Sequence, residues 1–126
     1  MLDVHVASIE EITAFRLRRH DGETVAKIAY LDGKPIALGG ITWTSIGAML
    51  WLEIKPEAKR FKVGLHRTAL ELIRTAWAAG EKRLIAFQNP LEPKADRWLE
   101  RLGFHEVPTM VKGMRMFAVE AGHERA

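Results

Sequence analysis

Cysteine is absent from the 126 residues, so no disulfide framework, thiolate zinc site or cysteine nucleophile is available. A chain of this size buries roughly two-thirds of the surface its unfolded form exposes, which supports a core without cross-links. A single domain over residues 1–126 is expected. Long apolar runs are also lacking: Ile36 to Ile41 falls far short of the about 20 residues a membrane-spanning helix needs. No apolar stretch follows a basic start, so the expectation is a soluble, cytoplasmic protein with no secretory signal and no membrane partner. The five histidines, His5, His20, His66, His105 and His123, include no pair at metal-ligand spacing, which argues against a metal site. Serine has no flanking elbow motif, so hydrolase chemistry has no support.

What the chain does have is a concentrated charge. The formal net charge is +3, yet the segment Lys55 to Arg67 holds Lys55, Lys59, Arg60, Lys62 and Arg67 against Glu57 alone and is itself +4. The rest of the chain is close to neutral. Such a distribution points to a local anion site rather than a surface made to coat nucleic acid, and the basic run lacks the interleaved aromatics of a nucleic-acid binder.

Leu2, Val4 and Val6 follow a period of two, and Ser8-Ile-Glu-Glu11 then forms a capping box, so a strand gives way to a helix. That helix is expected to turn Ile9, Ile12 and Phe15 inward and to stop near Gly22 after a basic run. Thr24 to Leu31 and Pro35 to Trp43 flank Asp32-Gly33, a hairpin signal. A further turn leads into Ala48 to Ile54, with Leu50, Leu52 and Ile54 on one face and Met49, Trp51 and Glu53 on the other. These three strands are expected to form an antiparallel meander.

Pro56 ends the meander, and after a basic loop Val63 to Ala79 carries apolar residues at spacings of three and four, the pattern of a long helix. Arg83 to Gln88 reads as the next, buried strand, so strand, helix and strand make a parallel crossover. Pro93 opens a short helix over Ala95, Trp98, Leu99 and Leu102. Gly103 closes it, and a left-handed Gly103 would bring Leu99 against Phe104 in a Schellman motif. One or two strands follow, and Ala121 to Ala126 is expected to fray.

Two stretches in this order carry a resemblance: Ile54-Lys-Pro-Glu-Ala-Lys-Arg-Phe-Lys-Val-Gly64 and Ala95-Asp-Arg-Trp-Leu-Glu-Arg-Leu-Gly-Phe104. The chain resembles a divergent member of the GNAT acetyltransferase family over most of its length. The resemblance implies an α/β GNAT (acyl-CoA N-acyltransferase) fold. In that fold a mixed central sheet has antiparallel N-terminal strands, one strand–helix–strand crossover and helices on both faces. It also implies acetyl-CoA as co-substrate, an acetyl group transferred to a primary amine, and a small-molecule or peptide amine as acceptor.

In that family a glycine-bearing loop and the N-terminus of the long helix surround the coenzyme pyrophosphate, because backbone N–H groups there favour an anion and glycine lets it approach. The resemblance therefore makes Ile54, Lys59, Arg60, Phe61, Lys62, Val63, Gly64 and Leu65 cofactor contacts, with Lys59 at the family's arginine position and Gly64 at its second glycine. Lys62 departs from the pattern, standing where the first glycine is usual. Asn89 lies three residues earlier than the family's asparagine and is carried as a further cofactor contact. Leu99 occupies the position of a tyrosine that often protonates the departing thiolate, so a common general acid is missing. Carboxylates on the strand holding Glu53 deprotonate the amine in some family members, which makes Glu53 the candidate general base.

Lys62 and Leu99 also favour a rival reading, a non-catalytic protein of the same fold with a structural or interaction role. Arg97 to Phe104 and Leu17 to Asp21 resemble acetyltransferase-like proteins of tailed phages, some of them virion-associated. On that reading the virion is the location and a virion protein the partner; a homodimer is open on either. Trp43, Trp51, Trp77 and Trp98 are expected in the core. Trp43 and Trp51, on adjacent strands, are also candidates to wall an acceptor pocket.

Overall fold

A computed structural model describes residues 2–16, 23–88, 95–109 and 111–125. The expected helix stop at Gly22, the Leu17 to Asp21 segment, Asn89-Pro90 and the Pro93 helix start lie outside the described residues.

Seven strands form one sheet in the order β1-β2-β3-β4-β5-β7-β6. β1 (Leu2–Val6), β2 (Thr24–Leu31), β3 (Lys34–Thr44) and β4 (Gly47–Ile54) are antiparallel in turn. The β2–β3 turn is tight because Asp32 and Gly33 both take positive φ, 50° and 81°, as a hairpin of this twist requires. β5 (Arg83–Gln88) lies parallel to β4, and β7 (Arg115–Glu120) sits between β5 and β6 (His105–Val107), antiparallel to both.

Helices cover both faces. α1 (Ile9–Arg16) lays Ile12 and Phe15 on Ala26, Ile28, Leu38 and Trp51. Its capping box forms as expected: Glu11 N–H donates to Ser8 Oγ, and Ser8 N–H donates to Glu11 Oε1, both at 3.1 Å. Ile9 is a correction, since it is 70% exposed. It stands at the helix start, on the side turned from the sheet.

α2 (Lys62–Ala78) and α3 (Ala95–Arg101) share the opposite face. There Leu70, Leu72, Ile73 and Ala76 meet Ile41, Leu50, Leu84, Phe117 and Val119, and Leu99, Leu102 and Phe104 close the same core. Gly103 takes φ 101°. Phe104 N–H donates to Leu99 O and Gly103 N–H to Glu100 O, both at 3.0 Å, the two bonds of the expected Schellman motif.

Residues 121–125 do not run loose as expected, and Ala126 lies outside the described residues. Ala121 N–H donates to Lys82 O at 2.9 Å, His123 N–H to Glu120 O at 3.0 Å and Arg125 N–H to Leu102 O at 2.9 Å. Residues 121–125 thus run back over the junction of α2 and α3. The tail contains polar anchors rather than apolar ones, which is why its composition reads as a loose end.

Three of the tryptophans are half-buried against the core and satisfy their N–H on a neighbour: Trp43 on Glu81, Trp51 on Thr42 and Trp77 on Glu124. Trp43 and Trp51 do not share a wall. Trp43 pairs with Ala48 and packs on the α2 side, whereas Trp51 pairs with Gly40 and packs on the α1 side. Gly40 makes room for that indole, since a Cβ there would lie 2.7 Å from Trp51 Cζ2 and 2.8 Å from Val25 O.

Candidate active site

The site is built where the sheet stops being continuous. Among the described residues β4 and β5 pair only at Met49 and Ile85, although both strands run on for several residues, to Ile54 and Gln88. Beyond that point they diverge. Lys55 N–H donates to Ile36 O at 2.8 Å, and antiparallel alternation then fixes which β4 residues turn their main-chain groups away from β3. They are Leu52 and Ile54, whose N–H and C=O point toward the gap. Ile54 was expected as a cofactor contact; Leu52 was missed, although counting alternate residues back from the β3–β4 turn finds it.

Side chains line the opening from both faces. Leu52 and Ile54 face α2, beside Leu65 and Leu72, with Trp98 of α3 across from them. Glu53 faces the other way, opposite Leu38 and on the side of Trp51, as the period of two predicts. Leu99 is 6% exposed and belongs to the core, so it carries no chemistry.

The basic segment is wound rather than looped. Pro56–Phe61 is a 3-10 helix that runs directly into α2, which corrects the expected basic loop. The physical reason is local: Pro56 fixes φ at the first turn, and Ala58 N–H donates to Lys55 O at 2.9 Å while Ala58 is fully buried. Phe61, φ −104° and ψ 38°, breaks the helical path before α2 starts at Lys62, and no side chain caps α2. An α-helix leaves its first N–H groups without i→i−4 partners of its own; at α2 the preceding 3-10 turn takes up that of Lys62, and those of Val63 and Gly64 follow it.

The cations of this segment divide by partner. Glu57, its one acid, is held 3.0 Å from Lys34, and that hydrogen bond lowers its pKa. Lys55 lies over the Phe15 ring at 5.1 Å and Arg60 over Phe61 at 4.9 Å. Lys59, Lys62 and Arg67 have no carboxylate partner among the described residues. Phe61 and Leu65 are half-buried against Ile54 and Ala58, while Val63 is 75% exposed. His66 is drawn off, with Nε2 3.2 Å from Arg125 O.

Gly64 is the informative glycine. It lies inside α2 with no positive φ, and a Cβ added there would meet only Leu2 Cδ2, at 3.9 Å. Nothing in the chain itself asks for glycine at this point, and the helix is weakened by it. The space above Gly64 and the three cations that have no carboxylate partner among the described residues fit an anion such as a pyrophosphate.

A second ionisable group of residues stands apart. Tyr30 Oη donates to Glu11 Oε2 at 2.7 Å, and His5 Nε2 lies 3.0 Å from the same oxygen. The Tyr30, Ser8 and His5 donors pull the Glu11 pKa down to about 2, and the bond to Glu11 raises those of His5 and Tyr30. Across the sheet Glu53 pairs with Leu38, Leu38 with Ile28 and Ile28 with His5. His5 lies three strand spacings, about 14 Å, from Glu53 and Tyr30 two, about 10 Å across the sheet, with the Tyr30 hydroxyl held on Glu11 of α1. Tyr30 is the one tyrosine of the chain, so no phenol reaches the gap.

No protein-family model and no curated protein matches the chain. Solved structures do. The ribosomal-protein-S18-alanine N-acetyltransferase of Escherichia coli matches at a TM-score of 0.69 and 16% identity, over 95% of this chain and 94% of that one. YncA of Salmonella typhimurium, described as a putative acetyltransferase and solved with acetyl-CoA, matches at 0.72 and 11% identity, over 99% and 96%. PaiA N-acetyltransferase of Thermoplasma acidophilum, solved with coenzyme A, matches at 0.66 and 16% identity, over 88% and 67%. This chain has the GNAT fold. The mixed sheet, the single parallel crossover and the helices on both faces expected from the sequence are those of the GNAT fold. Among the described residues, no helix is long and apolar enough to cross a membrane.

Proposed function

We propose that the chain transfers an acetyl group from acetyl-CoA to a primary amine. The observation that carries this reading is the gap between β4 and β5, where main-chain groups of Leu52 and Ile54 are exposed between the basic start of α2 and the face bearing Glu53. An extended amide-containing chain laid in that gap finds the donors and acceptors of a missing strand. At its phosphate end, Lys59, Arg60, Phe61, Lys62, Val63, Gly64 and Leu65 form the cradle, with Gly64 supplying the approach and Lys62 a cation in place of a further glycine. The proposed role of Asn89 falls outside the described residues.

Bound acetyl-CoA supplies an acyl thioester. Starting from the ammonium form of the amine, transfer makes one C–N bond, breaks one C–S bond and takes two protons off nitrogen. Glu53 takes the first, directly or through a water, which leaves the amine lone pair free to attack; the second leaves as the amide forms and passes to solvent. Solvent protonates the departing thiolate, since Leu99 is buried hydrocarbon and Tyr30 is engaged by Glu11.

The test is thermal stability with and without acetyl-CoA, in wild type and in Gly64→Phe. Ligand at about 100 times its dissociation constant stabilises by about 2.7 kcal/mol. Wild type is expected to gain several degrees with ligand. Gly64→Phe, whose new Cβ meets only Leu2 Cδ2 at 3.9 Å, is expected to fold with a ligand-free melting temperature no lower than that of wild type and to lose the gain. No gain in wild type at millimolar acetyl-CoA sinks the transferase reading and favours the non-catalytic, interaction-module alternative, to which Lys62 and Leu99 already lean.

A further inference from the structure

Two strands bound the sheet, and they are not alike. β6 has three residues and is followed by Pro108, devices that blunt an edge against pairing. β1 has five residues, an unbroken register with β2 and no proline. Its Val4 and Val6 are 39% and 67% exposed, and Ile9 just beyond it is 70% exposed.

The direction of the free main-chain groups on β1 follows from one bond. Ala7 N–H donates to Ala26 O at 2.9 Å, continuing the register in which Val6 faces Lys27 and His5 faces Ile28. Antiparallel strands alternate hydrogen-bonded and non-hydrogen-bonded pairs. Asp3 and His5 therefore spend their main-chain groups on β2, and Leu2, Val4 and Val6 turn theirs outward.

We infer that β1 pairs antiparallel with β1 of a second copy of this chain, about a two-fold axis at Val4. In that register Leu2 faces the partner's Val6 and Val4 faces the partner's Val4, all through outward groups, which closes six main-chain hydrogen bonds. Asp3 faces the partner's His5 in the non-hydrogen-bonded position, where Cα atoms approach to about 4.5 Å. Asp3, already 3.4 Å from His5 of its own chain, thus meets an imidazole of the partner as well, twice across the axis, and an opposite charge whenever that ring is protonated. A slip of one residue sets outward groups against groups already spent on β2. Centring on Asp3 or His5 instead sets like side chains against each other. The edge is self-complementary in polarity, charge and apolar side chains at one register only, and α1 and α2 extend on either face of it.

The experiment is sedimentation velocity of the full chain at rising concentration. Wild type is expected to pass from monomer to dimer, and Val4→Ile to do the same. Val4→Lys, which sets two ammonium groups face to face at the axis, is expected to stay monomeric with an unchanged circular dichroism spectrum. Should Val4→Lys fail to fold, Asp3→Lys, at a side chain 67% exposed, is expected to weaken association about tenfold by setting a cation against the partner's His5. A wild type still monomeric at about 1 mM, the weak limit of specific association, overturns the inference. So does a lysine variant that folds and dimerises like wild type.

Discussion

Trp77 donates its indole N–H to Glu124 at 3.0 Å, and that bond fixes the end of the chain to the flank of α2. Arg74 Nε reaches the other oxygen of Glu124 at 3.3 Å. The carboxylate is 11% exposed, and although burial opposes its charge, backbone, Trp77 and Arg74 donors prevail and its pKa is lowered. Glu124→Ala leaves a half-buried N–H without its acceptor, a loss of about 1–2 kcal/mol. The melting temperature is expected to fall by about 3–8 °C, with a shift in tryptophan fluorescence, and an unchanged melting curve would count against the anchor.

Gly103 is where α3 and the tail meet most closely. Its φ is 101°, and a Cβ there would lie 2.4 Å from His123 O. Gly103→Ala combines a strained backbone with a collision against main chain, so a loss of about 2 kcal/mol or more is expected. Urea denaturation measures it. A variant as stable as wild type would mean the tail lifts away at little cost.

The proposed chemistry separates two carboxylates. Glu53→Gln is expected to lower kcat about a hundredfold with little change in KM for acetyl-CoA. Tyr30→Phe is expected to keep kcat within about twofold, because Tyr30, two strands away from Glu53, spends its hydroxyl on Glu11. Steady-state kinetics of both variants decide the assignment, and a large loss in Tyr30→Phe would make the phenol an acid after all.

The His5–Glu11 pair gives a signed pH dependence. Glu11 is lowered from 4.5 to about 2, so its stabilisation is present above pH 4.5 and lost as pH falls toward 2. His5 is raised from 6.5, so its stabilisation is complete below pH 6.5 and lost as pH rises through its folded value. Both act together between pH 4.5 and 6.5. Glu11→Gln keeps the capping box and removes the charge. The difference in melting temperature from wild type is expected to be largest in that window and to shrink on either side of it.

How much of this was legible in the sequence depended on the range of the cause. The Schellman stop at Gly103, the Asp32-Gly33 turn and the Ser8–Glu11 box follow from neighbours in the chain, and each formed as expected. The face of Glu53 followed from alternation within one strand. The opposite faces of Trp43 and Trp51 needed the β3–β4 register as well, in which Thr44 pairs with Gly47. Glu124 meeting Trp77 lies 47 positions apart, and no local pattern announces it. The winding of Pro56–Phe61 was hidden because its core anchor is a single alanine, Ala58, among charged residues.

The single rung between Met49 and Ile85 has a mechanical meaning. On one side of it lie four antiparallel strands and on the other three, each set cross-linked by its own ladders, so the sheet consists of two stiff panels sharing a short seam. α2 packs on both panels, its Leu72 and Ile73 sharing one core with Ile41 and Leu50 of the first and with Leu84 and Phe117 of the second, and acts as the splint. Amide protons near the seam then trade with solvent sooner than those inside either panel, and a molecule wedged into the open end slows that trade in both panels at once.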